Sequence, residues 1–193
     1  MSFAFRLVGS LLAASLLSLP LAATAQGEDA ATLKAIEDAI PGTLIHNPLT
    51  MTWSPDGKDM KYRVVPSEGL MTGEAVEIKV KKPQKNPWDV AYRSELPEAI
   101  STGDTIQVLY WVRTAAVPKG EGAADVAMFL GRNVDPYDSV IYHEFQPGSD
   151  WQIQQATGTA SADYPAGEVK LEFHLGKAAQ TVEFGPVYVS RLD

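Results

Sequence analysis

The feature that most constrains the fold is a two-residue alternation of apolar and polar side chains, which begins after Gly42 and continues nearly to the end of the chain. About ten short segments show it, and turn residues such as Gly, Asp and Pro separate them. The segment "EVKLEFHLG" places Val169, Leu171, Phe173 and Leu175 on one side and Glu168, Lys170, Glu172 and His174 on the other. Because no helical period interrupts these segments, the sequence predicts an all-β antiparallel sandwich of the jelly-roll type. The polar side of each strand, His174 included, is expected to face water.

The N-terminal residues predict export. Arg6 precedes an apolar run, and Ala23-Thr24-Ala25 forms an A-x-A cleavage pattern, so residues 1–25 are predicted to be a signal peptide. Residues 26–42 then contain Leu33, Ile36 and Ile40 at helical spacing, which predicts a short N-terminal helix. Residues 43–193 form the β-domain, and the mature chain is expected in the periplasm or outside the cell.

Composition excludes several kinds of site. The sequence has no cysteine, which excludes disulfides, thiolate metal sites and a lipoprotein anchor. The net charge of −8 opposes contact with phosphate backbones and anionic membranes. Beyond the signal peptide no apolar run is long enough to span a bilayer, so we expect no membrane anchor and no nucleic-acid partner.

Several strands carry aromatic and hydrogen-bonding side chains on the side opposite the core. In "DTIQVLYWVRTA" the core side is Ile106, Val108, Tyr110 and Val112, which leaves Gln107, Trp111 and Arg113 opposite. The same reasoning selects Arg93, Tyr142 and Glu144 on other strands. A pyranose ring offers an apolar C–H face to an aromatic ring and an edge of hydroxyls to polar groups. These six residues are therefore the predicted sugar contacts, provided that their strands are neighbours in one sheet. The alternative is that Trp111 and Tyr142 are half-buried beneath the N-terminal segment or a crossing loop.

The strand pattern also resembles a known family. Gly103-x-x-Ile-x-Val-x-Tyr-Trp-Val-Arg113 resembles the "G-x-x-Y-x-L-x-F-W-A-R" strand of carbohydrate-binding modules of the family 4/9/22 type, which occur fused to xylanases and related hydrolases. "NPWDVAY", "WQIQQATGT" and "LEFHLGKAAQTVEFGPVYV" are similar to three further strands of these modules, in the same order. The resemblance covers roughly residues 43–190.

This resemblance implies a galactose-binding-like jelly roll whose concave sheet holds a polysaccharide or oligosaccharide, with Trp111, Tyr142 and Glu144 on that side. It also implies a structural calcium ion, but the expected carboxylate is missing where Phe184-Gly185-Pro186-Val187 stand. Ala91 likewise replaces a polar residue that would contact the sugar. No other cofactor is expected.

Two further functions remain open at this point. A small glycan-active hydrolase would need two carboxylates about 5–9.5 Å apart, and Glu144 is the candidate on the ligand face. A zinc enzyme is disfavoured, because His46, His143 and His174 lie far apart in the sequence. A structural protein would instead cover its open face with a partner or with the N-terminal helix, and the exposure of Trp111 and Tyr142 separates that case from sugar binding.

Overall fold

The computed structural model describes residues 22–119 and 122–192. Residues 1–21 of the predicted signal peptide lie outside the described residues. One helix, α1 (Ala22–Ala39), precedes eleven strands. The strands are β1 (Thr43–Leu44), β2 (Ser54–Gly57), β3 (Met60–Pro66), β4 (Glu74–Val80), β5 (Val90–Leu96), β6 (Thr105–Ala116), β7 (Val126–Arg132), β8 (Ser139–Phe145), β9 (Gln152–Thr159), β10 (Val169–His174) and β11 (Gln180–Leu192).

The strands form two antiparallel sheets. One sheet has the order β3-β4-β11-β6-β9, with β1 added to β11, and the other has the order β2-β5-β10-β7-β8. We call them the six-stranded and the five-stranded sheet. The predicted all-β sandwich is confirmed. Each of the ten predicted segments contains a strand, and the sequence missed β2, because its Asp56-Gly57 pair has the composition of a turn.

The core lies between the sheets and is rich in aromatic rings. Phe173 of β10 is fully buried, and its ring centroid lies 4.9 Å from that of Tyr110 and 4.7 Å from that of Phe184. Tyr92 and the partly buried Trp53 pack on the same group. The alternation predicted this core correctly, because inward side chains on facing sheets must meet.

The N-terminal helix exists and begins at Ala22, earlier than the sequence indicated. Leu33 and Ile36 of this helix and Ile40, which directly follows it, are half-buried. Across the described residues, no helix has both the length and the apolar character needed to cross a membrane.

His46 follows β1 and is buried with its ring neutral. Its Nε2 accepts a hydrogen bond from the backbone N–H of Val189 at 2.9 Å. Burial lowers the pKa of His46 to about 4, against an ordinary value of 6.5. Protonation would both charge a buried ring and remove that acceptor.

This histidine predicts acid sensitivity. The unfolded chain takes up the proton near pH 6.5 and the folded chain only near pH 4. The free energy of unfolding is therefore expected to fall by about 3 kcal/mol as the pH drops through that window. Urea unfolding of the wild type and of His46→Gln at pH 7 and pH 4 measures it. The variant should lose this part of the pH dependence. If the free energy of unfolding falls equally in both proteins between pH 7 and pH 4, His46 is not the group responsible.

Candidate functional site

The predicted sugar contacts do not share one surface. Gln107, Trp111 and Arg113 are on β6 of the six-stranded sheet, whereas Arg93, Tyr142 and Glu144 are on β5 and β8 of the five-stranded sheet. Their outward faces therefore lie on opposite sides of the sandwich. The prediction that all six residues form one binding face is therefore wrong. β5 and β6 follow each other in the sequence, but they belong to different sheets.

Trp111 is half-buried, as in the alternative interpretation of this residue, and the base of its side chain lies near a crossing loop. Leu70, in the loop of residues 67–73, is only 7 % exposed. A side chain added at Gly185 would meet Leu70 at 2.7 Å and Trp111 at 3.0 Å, so these three residues pack together. Trp111 is partly buried in this contact.

The two polar candidates on the same strand, Arg113 and Gln107, are not free to contact a ligand either. Arg113 donates to Glu183 at 2.7 Å, and its guanidinium lies 4.9 Å from the ring centroid of Trp151. Gln107 is only 5 % exposed, and its buried Oε1 has no hydrogen-bond partner. Arg113 is thus held by contacts within the protein, and Gln107 is too buried to reach a ligand.

We therefore expect Trp111→Ala to affect stability and not ligand binding. Removing a half-buried indole should lower the free energy of unfolding by about 2 kcal/mol, roughly half the cost at a fully buried site. Thermal unfolding and titration with a ligand would measure both effects. A loss of binding in a protein that remains folded would return Trp111 to the ligand site.

The outer face of the five-stranded sheet is an open surface that carries several of the predicted residues. Strand pairing aligns one residue from each strand in a row across it, in the order Ser54, Arg93, Glu172, Phe129 and Tyr142. Adjacent strands lie about 4.8 Å apart, so the row from Arg93 to Tyr142 spans about 14 Å.

A groove of about 580 Å³ follows this row. Three exposed rings line it: Trp88 is 55 % exposed, Tyr142 is 52 % exposed and Tyr137 is 58 % exposed. The floor contains Lys170, Glu172 and His174, together with the row residues Arg93 and Phe129. An elongated groove with exposed rings at its walls and polar groups at its floor is accessible to a ligand.

Small side chains flank His174 on the neighbouring strands, and three rings surround it. The strand pairing puts Ala91 on one side of His174 and Ala127 on the other. The His174 ring lies 6.1 Å from that of Trp88, 6.0 Å from that of Phe129 and 6.5 Å from that of Tyr142. Ala91, which removes a polar contact expected from the resemblance, is itself fully buried beside the histidine.

His174 is 6 % exposed, so the prediction that it is solvated was wrong. The outward side of this strand is covered by the neighbouring rings. The alternation of the sequence correctly predicted that His174 is on the outward side of its strand. It does not show which other side chains cover that side.

Glu172 organises the charges of the floor. Its Oε2 lies 2.6 Å from Lys170 Nζ and 3.3 Å from His174 Nε2. Its Oε1 lies 3.3 Å from Arg93 Nε, an ion pair without hydrogen-bond geometry. Burial by itself would raise the pKa of Glu172, but the hydrogen bonds from His174 and Lys170 and the charge of Lys170 outweigh it and lower this pKa to about 2. The carboxylate is therefore ionised at neutral pH and fixed among its partners.

Trp88 was not among the predicted sugar contacts, although the sequence around it indicates that it lies outside the core. The motif "NPWD" forms a single 3-10 turn at Pro87–Asp89, closed by the Asn86 backbone N–H donating to Asp89 Oδ2 at 3.0 Å. The strand begins only at Val90, so Trp88 does not follow the alternation that would direct it to the core. Asn followed by Pro, with Asp three residues after the Asn, marks such a start and identifies the tryptophan as part of a turn.

Glu144 lies at one end of the face and contacts a neighbouring hollow of about 200 Å³. Tyr142 Oη donates to Glu144 Oε1 at 3.5 Å. Of the three candidates on this sheet, Arg93 and Tyr142 thus line the groove and Glu144 adjoins it.

The described residues do not fit the calcium ion that the resemblance implies. Within residues 22–119 and 122–192, no three His, Asp or Glu side chains are grouped together, so no cluster of charged ligands is available to such an ion. The closing strand supplies Phe184 and Val187, both buried, where a carboxylate would stand.

Comparison with known proteins identifies the fold. No protein-family model matches the sequence, and no curated protein matches it. Solved structures do match, at low sequence identity. The N-terminal cellulose-binding domain of Cellulomonas fimi β-1,4-glucanase C is 24 % identical, with a TM-score of 0.54 over 73 % of this chain and 89 % of that domain.

Two further matches have similar extents. The second N-terminal cellulose-binding domain of the same glucanase is 18 % identical, with a TM-score of 0.57 over 80 % of this chain and 94 % of that domain. The xylan-binding domain CBM22-1 of Xyn10C from Paenibacillus barcinonensis is 13 % identical, with a TM-score of 0.54 over 79 % of this chain and 89 % of that domain. The predicted resemblance to carbohydrate-binding modules is confirmed at the level of the fold.

Proposed function

We propose that this protein is an exported, non-catalytic domain that binds a polysaccharide or oligosaccharide chain in the groove of its five-stranded sheet. The observation that carries the proposal is the groove itself, where exposed Trp88 and Tyr142 lie beside a floor of charged groups. Rings of this kind stack on the C–H faces of sugar units, and Arg93, Lys170 and Glu172 offer hydrogen bonds to hydroxyls.

Two independent findings support it. Matching structures include domains described as binding cellulose and xylan, and they share this fold. The N-terminal sequence has the features of a signal peptide, in agreement with a protein that meets polysaccharides outside the cytoplasm.

The charge on the groove floor argues against glycoside hydrolysis. Among the described residues that line the groove, Glu172 is the only carboxylate. A general acid needs a raised pKa, whereas the pKa of Glu172 is lowered to about 2. Glu172 is therefore suited to hold Lys170 and His174 in position and not to donate a proton.

The face is also open, which argues against a sheet covered by the N-terminal helix. Trp88 and Tyr142 are each more than half exposed, so α1 does not seal the groove. A group of exposed rings at one groove is a common mark of a recognition site.

Affinity electrophoresis tests the proposal directly. The mature chain is run through gels that contain soluble xylan, β-glucan or mannan, and binding is expected to retard it in at least one of them. Stacking on two or three rings predicts dissociation constants in the micromolar to millimolar range, roughly −4 to −8 kcal/mol. Equal mobility in every gel would contradict the proposal, and release of shorter sugars during incubation would show a hydrolase.

A further inference from the structure

A second hollow lies on the same face, on the far side of Arg93 from the groove. It measures about 470 Å³ and is formed over β2, β5 and the chain before β2. Ser54, Arg93 and Glu95 reach it from the outward side of their strands, and Arg93 also lines the groove. The guanidinium of Arg93 donates to Asp56 at 2.9 Å, which holds it as a wall between the two spaces.

The second hollow differs from the groove in its chemistry. No Trp, Tyr or Phe occurs among its described lining residues. Most of the lining side chains carry groups that can donate or accept a hydrogen bond: His46, Asn47, Thr50, Thr52, Ser54 and Glu95. A ligand held here is therefore recognised through its hydroxyls and not by stacking of a ring face.

His46 supplies a second, independent observation. It is 7 % exposed and lines the hollow. Because its Nε2 accepts from the Val189 N–H, the neutral ring carries its proton on Nδ1. That buried Nδ1 has no partner of good hydrogen-bond geometry, and its nearest acceptor is the backbone of Asn47, which raises the pKa of His46 less than burial lowers it. A buried donor without a well-placed acceptor is unfavourable, and a ligand hydroxyl would relieve it, directly or through a bridging water.

We propose that the second hollow holds a single-sugar side branch of the polysaccharide whose backbone lies in the groove, an inference that rests on the proposed function. The backbone units stack on Trp88 and Tyr142. The branch passes over Arg93 into a space that offers hydrogen bonds and no ring. The protein then distinguishes branched from unbranched chains of the same backbone.

Calorimetric titration with four oligosaccharides tests this inference. The probes are cellohexaose, xylohexaose, a xyloglucan oligosaccharide and an arabinosylated xylo-oligosaccharide, so that each linear chain has a branched counterpart. One or two added hydrogen bonds predict that the branched member of the recognised pair binds about 5- to 10-fold more tightly.

A large side chain placed in the second hollow separates the contribution of the hollow to binding from that of the groove. Thr52 is exposed and lines the hollow, and its backbone carbonyl accepts from Ser94 Oγ whatever its side chain is. Thr52→Trp is expected to abolish the preference for the branched chain and to leave binding of the linear chain unchanged. The matched control is Thr157→Trp, at an exposed threonine of β9 on the other sheet, and it should keep the preference.

Other outcomes would contradict either the branch site or the proposed function. If linear and branched chains bind the wild type equally, or if Thr52→Trp keeps the preference, the branch site is wrong and the groove remains. If Thr52→Trp weakens longer linear chains and not shorter ones, the hollow holds the backbone. If none of the four probes binds and no gel retards the protein, the proposed function is wrong as well.

Discussion

Replacing Trp88 with alanine is expected to weaken polysaccharide binding by about 10- to 100-fold, because one stacked ring is removed from the groove. The protein should remain folded. Trp88 is 55 % exposed and stands in the 3-10 turn before β5, outside the core, so the free energy of unfolding should change by less than about 1 kcal/mol. Titration calorimetry and thermal unfolding of the same preparation measure the two quantities.

Two variants control for this result. Trp88→Phe keeps a flat ring and should retain most of the affinity. Tyr62→Ala removes a ring that is 58 % exposed on β3 of the six-stranded sheet and should bind like the wild type. If Tyr62→Ala and Trp88→Ala weaken binding to the same extent, the ligand does not use the groove specifically.

The largest effect on stability is expected from Phe173→Ala. The ring is fully buried, and four other rings surround it: Trp53, Tyr92, Tyr110 and Phe184. Alanine would leave a cavity between the sheets, which costs about 3–5 kcal/mol. For a domain of this size that corresponds to a fall of roughly 10 °C in the melting temperature.

Urea unfolding of Phe173→Ala beside Phe145→Ala gives the comparison. Phe145 is only partly buried at the margin of the same core, so its loss should cost clearly less. If both variants lose the same free energy of unfolding, the two side chains do not differ in packing. Binding by folded Phe173→Ala should persist, since this side chain points away from the groove.

The strands and the core were predictable because each depends on local order. Alternation over a few residues decides which side chains face inward, as Ile106, Val108, Tyr110 and Val112 show by their complete burial. The exception is β2, where Ser54–Gly57 form a strand only because β5 pairs with them. Residues with the composition of a turn form a strand here because they pair with a strand that is distant in the sequence.

The site was predicted only in part. Arg93 and Tyr142 were selected correctly as outward residues and do line the groove, and their role in binding stays a prediction. Trp111 satisfied the same criteria, yet it is half-buried next to Leu70 and Gly185 and its strand belongs to the other sheet. Exposure depends on which distant segment crosses a strand, and no local pattern records that.

The sequence alone determined that this chain is a sandwich of short antiparallel strands, since a two-residue period can bury its apolar side only against another sheet. It also determined the side of each strand on which polar groups stand. The tertiary structure decided the order of strands within the sheets, and therefore that Arg93, Glu172 and Tyr142 share one row while Trp111 does not. The reason is that strand order is fixed by backbone pairing between segments far apart in the chain, where every strand offers the same hydrogen-bonding groups.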